Sequence, residues 1–256
     1  MAGGRGARIG GPRMSWHLGR MCGFDLETTG IDVENDRIVT ACVVGCGGGQ
    51  PTDSRTWLAD PGIEIPDGAA KVHGITTEKA RAEGRPAADV IAELVTALAS
   101  AARDGEPIVA MNAAYDLTLL DRECARHGVK SLWDYTDAIP LVVDPRVLDK
   151  RVDRFRRGGR TLTDLTKHYR VPLDGAHTAD ADAIAACRVA WRIATQNGQI
   201  ADLALPDLHE QQVEWAREQA GSLRDYFAKT PGKEHQAASV RTEWPLIPRQ
   251  QNGADQ

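Results

Sequence analysis

Three short runs rich in β-branched and aromatic residues, each closed off by turn formers, constrain this chain more than any other feature. Residues 21–25, 37–44 and 54–58 are too short for stable helices and are separated by glycine, aspartate and asparagine. They read as an antiparallel meander. The 45–49 segment, Gly-Cys-Gly-Gly-Gly, is the reversal between the second and third strands and lacks the spacing of a dinucleotide or phosphate loop. The pattern then changes period. Val90, Ile91, Leu94, Val95 and Leu98 recur on one face and predict a helix over 86–102. A fourth strand is expected at 107–111, a helix at 114–127 closing near Gly128, a fifth strand ending near 137–140, and helices at 162–169 and 180–195. A meander followed by alternating helix and strand is an α/β arrangement: a mixed five-stranded sheet, three strands antiparallel and the later ones parallel, flanked by helices. Past residue 196 a helical extension is expected over 206–227, with Leu208, Ala216, Ala220, Leu223 and Phe227 at helical spacing. A tail follows from about 230, in which Trp244, Leu246 and Ile247 mark one anchored patch.

Length and composition narrow the classes. A chain of 256 residues with 42% apolar and 26% charged side chains suits one folded domain with extensions. Its longest apolar stretch, 38–46, is about half of the ~20 residues a membrane helix needs, so no membrane partner is expected. Residues 1–20 read as a flexible leader: Arg5, Arg8 and Arg13 stand among glycines without the apolar block of a secretory signal, and a cytoplasmic location follows. Cys22, Cys42, Cys46, Cys124 and Cys187 are odd in number and form no C-x-x-C pair, which argues against a disulfide framework and a structural zinc site. A net charge of −5 removes the simplest nucleic-acid signal but leaves one basic run between Arg146 and Arg160, seven cations against Asp149 and Asp153. That run is either a solvated loop or a phosphate-contacting edge.

The acidic residues carry the chemistry. Asp25 and Glu27 are i and i+2 at the end of the first strand, so both carboxylates face one side, ~7 Å apart at Cα. Two anions so close call for a cation. The D-x-E spacing recurs at Asp32, Asp104 and Asp121, where it reads as surface charge; Asp25 differs in following a core strand, at the sheet edge where ligands bind in α/β folds. Asn112 and Asp116 form the only N-x-x-x-D and lead from the fourth strand into a helix, where capping the helix is the alternative role for Asp116. His177 and Asp182 form the only H-x-x-x-x-D. Five residues along a helix separate side chains by ~140°, so this pair converges only if His177 lies in the loop before the helix.

Taken in order, DLETTG at Asp25, VHGIT at Val72, NAAYDLTLL at Asn112, DLTKHYRV at Asp164 and HTADADA at His177 resemble the DEDD exonucleases with a catalytic histidine. This is the DnaQ-like group that includes the proofreading ε subunit of DNA polymerase III and ribonuclease T. The resemblance spans about 21–195, and Met111 departs from it by standing where the family often has a histidine. It implies a ribonuclease H-like sheet, an exonuclease domain over 21–198 and a C-terminal helical extension with tail over 199–256.

The resemblance also implies the chemistry. Two Mg²⁺ or Mn²⁺ ions would be held by Asp25, Glu27, Asp116 and Asp182, with Asp25 shared between them. Four carboxylates make a hard oxygen site that suits these ions better than zinc. His177 would be the general base, its ordinary pKa near ~6.5 suited to taking a proton from the attacking water. Leu26, Thr28, His73 and Asn112 would contact the substrate. The expected reaction is 3′→5′ hydrolysis of single-stranded DNA to nucleoside 5′-monophosphates, in proofreading or repair. The same chemistry on RNA, and a largely architectural role beside a polymerase, are the alternatives. A polymerase or sliding clamp could engage residues 199–256; for the clamp, the short segment 199–206 bears only a faint likeness to a clamp-binding peptide and reads better as a linker.

Overall fold

In the computed structural model, residues 15–135, 139–173 and 178–249 are described. The chain runs from a 3-10 turn (Trp16–Leu18) through β1 (Arg20–Thr28), β2 (Ile38–Gly47), β3 (Asp53–Asp60), α1 (Asp67–His73), α2 (Thr77–Glu83), β4 (Arg85–Pro86) and α3 (Ala87–Arg103). It continues with β5 (Ile108–Val109), α4 (Ala113–His127), α5 (Leu132–Tyr135), β6 (Val142–Val143), α6 (Pro145–Val152), α7 (Leu162–Tyr169), α8 (Ala179–Gln196), α9 (Gly198–Ala201), α10 (Leu205–Lys229) and α11 (Glu234–Ala237).

The strands form one mixed sheet in the order β4-β3-β2-β1-β5-β6. β1, β2 and β3 are the antiparallel meander, and β5 and β6 add in parallel beside β1. β1 is central because both its faces are apolar: Met21, Cys22, Phe24 and Leu26 are all buried. α8 crosses the face on which Gly23 lies. A Cβ at Gly23 would sit 2.8 Å from the Ala183 carbonyl oxygen and 2.9 Å from the Cys187 sulfur, so only glycine lets helix and strand approach this closely. Residues 25 and 27 share that face by the two-residue period of the strand. The sheet therefore presents them to the start of α8.

Among the described residues the sheet has six strands rather than the expected five. The extra one, β4, is two residues pairing in parallel with Ala59 and Asp60 at the outer edge. Pro86 sits there before the helix it was expected to open, since an edge strand tolerates a residue without an N–H. The strand expected to end near 137–140 is instead Val142–Val143, beyond Pro140; Asp137 lies outside the described residues. The basic run is partly helical, because Asp144 caps α6 by accepting the Arg146 N–H and Pro145 opens it.

Both ends of the described chain reach further into the fold than composition suggested. Residues 15–20 are packed, unlike the flexible leader expected there: Trp16 is buried and its indole N–H donates to the Ile200 carbonyl at 3.1 Å. That contact also buries Ile200 within the segment with a likeness to a clamp-binding peptide. α10 folds back on β6, the open edge of the sheet. His209 Nδ1 accepts the Val142 N–H at 3.0 Å, the Gln212 amide donates to the Val142 carbonyl at 2.9 Å, and the Asp144 N–H donates to Gln212 Oε1 at 2.8 Å. A helix thus satisfies edge groups that would otherwise template another strand. Trp244 is buried in the tail as its patch predicted.

Candidate active site

Asp25 and Glu27 leave the end of β1, and Asp182 leaves the first turn of α8. One carboxylate oxygen from each lies within 4.8 Å of the other two. Gly23 makes this meeting possible, because Ala183, which it admits against the strand, is the residue next to Asp182. The N-terminal turn of α8 also lends its partial positive charge to the cluster.

Burial first, and mutual repulsion after it, raises the pKa values of these groups. Asp25 is pushed well above the usual carboxylate range, first by loss of water and then by the charges of Asp116, Asp182 and Glu27. Glu27 is raised to about 7 by burial and by Asp182. Asp116, in the first turn of α4, is buried and also raised, mainly by desolvation; hydrogen bonds from its own and the Leu26 main-chain amides pull the other way. The fourth carboxylate thus stands beside Asp25 and is tied to β1. Such a set, all hard oxygen and all repelling, fits a divalent cation of the Mg²⁺ or Mn²⁺ type.

The other expected residues are placed one by one. Thr28 faces the site edge with Tyr115: their hydroxyls are 2.7 Å apart and lie 2.7 and 2.5 Å from the Gly30 carbonyl oxygen. These contacts hold both side chains in place, and burial raises the Tyr115 phenol to about 12 against the opposing effect of the Thr28 hydrogen bond. His73 closes α1; its Nδ1 accepts the Ile75 N–H at 3.2 Å, a turn contact, while the residue also lines a cavity of about 290 Å³ with Glu27 and Asp180. Burial lowers its pKa. Leu26 is in the core at 6% exposure, and what it brings to the site is its main-chain N–H to Asp116 rather than its side chain. His177 lies outside the described residues.

Asn112 introduces a residue that sequence reading missed. It adopts a left-handed backbone, φ 63° and ψ 45°, and its side-chain oxygen accepts from Arg146 at 2.6 Å. Its N–H and that of Ala113 donate to the two oxygens of Asp144, at 3.1 and 3.0 Å. Asp144 also accepts from the Arg146 N–H at 2.9 Å and from the Trp244 indole at 3.4 Å. This buried carboxylate therefore caps α6, anchors the start of α4 and receives the tail. Burial raises its pKa, and the amide hydrogen bonds oppose that rise. The sequence signal was present in Asp144-Pro145, an N-cap followed by proline.

Comparison with known proteins agrees with this geometry. The family model RNase_T, described as an exonuclease, matches residues 22–190. The chain is similar to DNA polymerase III PolC-type of Lacticaseibacillus paracasei, 28% identical over 160 residues, which are 62% of this chain and 10% of that protein. It is similar also to DNA polymerase III PolC-type of Listeria innocua, 25% identical over 186 residues, 73% of this chain and 12% of that one. The chain thus spans about a tenth of the curated relatives it matches. Among solved structures, E. coli exonuclease I in complex with a dT13 oligonucleotide shares the fold at a TM-score of 0.62 and 18% identity, covering 72% of this chain and 42% of that one.

Proposed function

The chain belongs to the RNase_T exonuclease family, and from that membership we propose a divalent-metal-dependent nuclease that removes nucleotides from the 3′ end of single-stranded DNA, releasing nucleoside 5′-monophosphates. The observation that carries this reading is the meeting of Asp25, Glu27 and Asp182 within 4.8 Å beside the buried Asp116. Asp25, Glu27 and Asp182 would hold a first Mg²⁺ or Mn²⁺, and Asp25 with Asp116 a second. Such ions, when bound, supply positive charge against the developing oxyanion and ease deprotonation of water. The protein's own part is to keep four carboxylates converged although they repel one another. Thr28, locked by Tyr115, and Asn112, held by Arg146, present polar groups beside the carboxylates for a terminal nucleotide. His177 is the proposed base, taking the proton of the attacking water.

The catalytic unit is proposed to span 21–198, with 199–256 as an extension. The PolC-type relatives favour a proofreading setting in which the chain works beside a polymerase. A 5′-labelled single-stranded DNA and a matched RNA, each with Mg²⁺, Mn²⁺ or EDTA, test the reading alongside Asp25→Ala. A metal-dependent ladder shortening from the 3′ end, absent in the variant, supports it; faster loss of the RNA moves the substrate to RNA. An intact oligonucleotide under every metal would sink it.

A further inference from the structure

The basic run and the C-terminal helix meet in a groove outside the carboxylate cluster. Lys150, Arg151, Arg154 and Phe155 form one wall, and Leu223 and Tyr226 of α10 the other, around a hollow of about 670 Å³. Its large aromatic groups are unusually open: Phe155 is 85% exposed and Tyr226 53%. The Arg154 guanidinium lies 5.6 Å over the Phe155 ring, and that of Arg151 lies 5.0 Å over Trp215. Arg156 and Arg160 pair with the buried Asp149, whereas Lys150, Arg151 and Arg154 have no carboxylate within ion-pair distance among the described residues. The charges of Arg146 and Arg160 act on Lys150, and those of Asp144 and Asp149 oppose them. The groove also holds one acid, Glu218.

This groove adjoins a second hollow that reaches the start of α4. That hollow, of about 350 Å³, is lined by Asn112, Arg146 and Trp244 and shares Lys150 and Leu223 with the first. Asn112 lies at the start of α4, four residues before Asp116. α6 contributes to both hollows, Lys150 and Arg151 to the first and Arg146, Val147 and Lys150 to the second. Unpaired cations beside exposed aromatic faces are what a single strand needs, phosphates to the cations and bases to the rings. The wall supplied by α10 lies beyond the family-matched residues 22–190, so the groove is a feature of this chain's extension.

We propose that this groove carries the upstream, 5′-ward part of a single-stranded nucleic acid whose 3′ end lies at Asp25, Glu27, Asp116 and Asp182. The inference rests on the nuclease reading and assigns residues 205–229 to substrate capture. Two measurements on the full-length protein separate its failure from failure of that reading. Fluorescence anisotropy in EDTA gives Kd for labelled dT12 and rU12, and Mg²⁺-dependent hydrolysis of a p-nitrophenyl ester of thymidine 5′-monophosphate reports chemistry without a strand. The double variant Phe155→Ala, Tyr226→Ala is expected to weaken dT12 about tenfold or more. Ester hydrolysis and thermal midpoint should stay within twofold and about 2 °C of wild type, because both rings are exposed. Arg151→Gln with Arg154→Gln should flatten the dependence of log Kd on log salt by about one to two. Equal loss on rU12 supports a strand read by stacking and charge. Unchanged dT12 and rU12 binding in both variants, or no binding by wild type at low salt, overturns the groove. Loss of dT12 binding in a protein that never cleaves the ester upholds the groove as a binding site and removes the nuclease reading.

Discussion

Gly23→Ala is the sharpest test of how this fold builds its site. The added Cβ would stand 2.8 Å from the Ala183 carbonyl oxygen and 2.9 Å from the Cys187 sulfur, about 0.6 Å inside an ordinary contact. Neither neighbour is a flexible tip: one is helix backbone and the other a fully buried side chain. β1 is held by β2 and β5 on its two sides, so the easier movement is of α8. Overpacking of this kind costs about 1–3 kcal/mol, or roughly 2–12 °C in Tm for a chain of this size. The larger effect is on geometry. Asp182 travels with Ala183, and a displacement approaching 1 Å at a reacting centre costs on the order of 100-fold. We expect Mg²⁺-dependent hydrolysis of a short oligonucleotide to fall ~10- to 100-fold, and the rise in Tm produced by 5 mM-range (about) Mg²⁺ to shrink. Differential scanning fluorimetry with Mg²⁺ or EDTA, run beside the kinetics, reads both. Activity within twofold of wild type together with an unchanged Mg²⁺-induced shift would refute the claim that close helix approach at Gly23 sets the carboxylate spacing.

Further outcomes follow from the charges and the buried polar groups. Asp25, Glu27 and Asp116 all have folded pKa values raised above their ordinary ones, so without metal the fold is favoured below about pH 4.5 at these groups and loses that advantage as pH climbs through about 7 for Glu27. Because Glu27 is partly open to water, its share is discounted to about 1–2 kcal/mol. Thermal melts in EDTA should therefore drop between pH 5.5 and 8, and the drop should largely vanish with Mg²⁺; equal slopes with and without metal would contradict the repulsion argument. Asp144→Ala leaves the Asn112, Ala113 and Arg146 amides without their acceptor and is expected to cost about 3 kcal/mol or more by denaturant unfolding, with Asp144→Asn milder. Gln212→Leu removes that residue's two contacts with the edge at once and leaves only His209 on the Val142 N–H; soluble yield and size-exclusion profiles should reveal association through that edge.

What could be read from sequence was what short-range periodicity encodes. The i, i+2 spacing of Asp25 and Glu27 placed both on one face, and the 162–169 helix begins and ends where expected because Thr161 and Asp164 form a capping box. The approach of Asp182 to that pair depends on the missing Cβ of Gly23, a tertiary condition to which no pattern within either segment points. β4 and β6 are two residues each and have no period to detect. The docking of α10 was illegible for another reason. Amphipathic analysis weighs apolar side chains, while this helix meets the sheet edge through His209 and Gln212, polar residues whose burial makes sense only against unpaired strand amides.

The position of Asp144 joins these observations into one argument. A carboxylate buried at the end of β6 is costly unless its oxygens are saturated, and here four donors from three parts of the chain saturate them: the start of α4, the start of α6 and the tail at Trp244. The start of α4 bears Asp116, the start of α6 bears Arg146, and the residue itself bonds Gln212 of α10 through its N–H. Removing the tail would therefore act on the carboxylate cluster by two routes: through Asp144, and directly on α4, where the Ile247 N–H donates to the Thr118 hydroxyl at 3.0 Å and Arg249 pairs with Asp121 at 2.8 Å. Trp244→Ala is expected to lower Tm by several °C, on the scale of about 3–5 kcal/mol for a buried tryptophan, and to weaken Mg²⁺ stabilisation as α4 loosens. If the variant loses stability but its metal response matches wild type, the path from extension to site through Asp144 is broken.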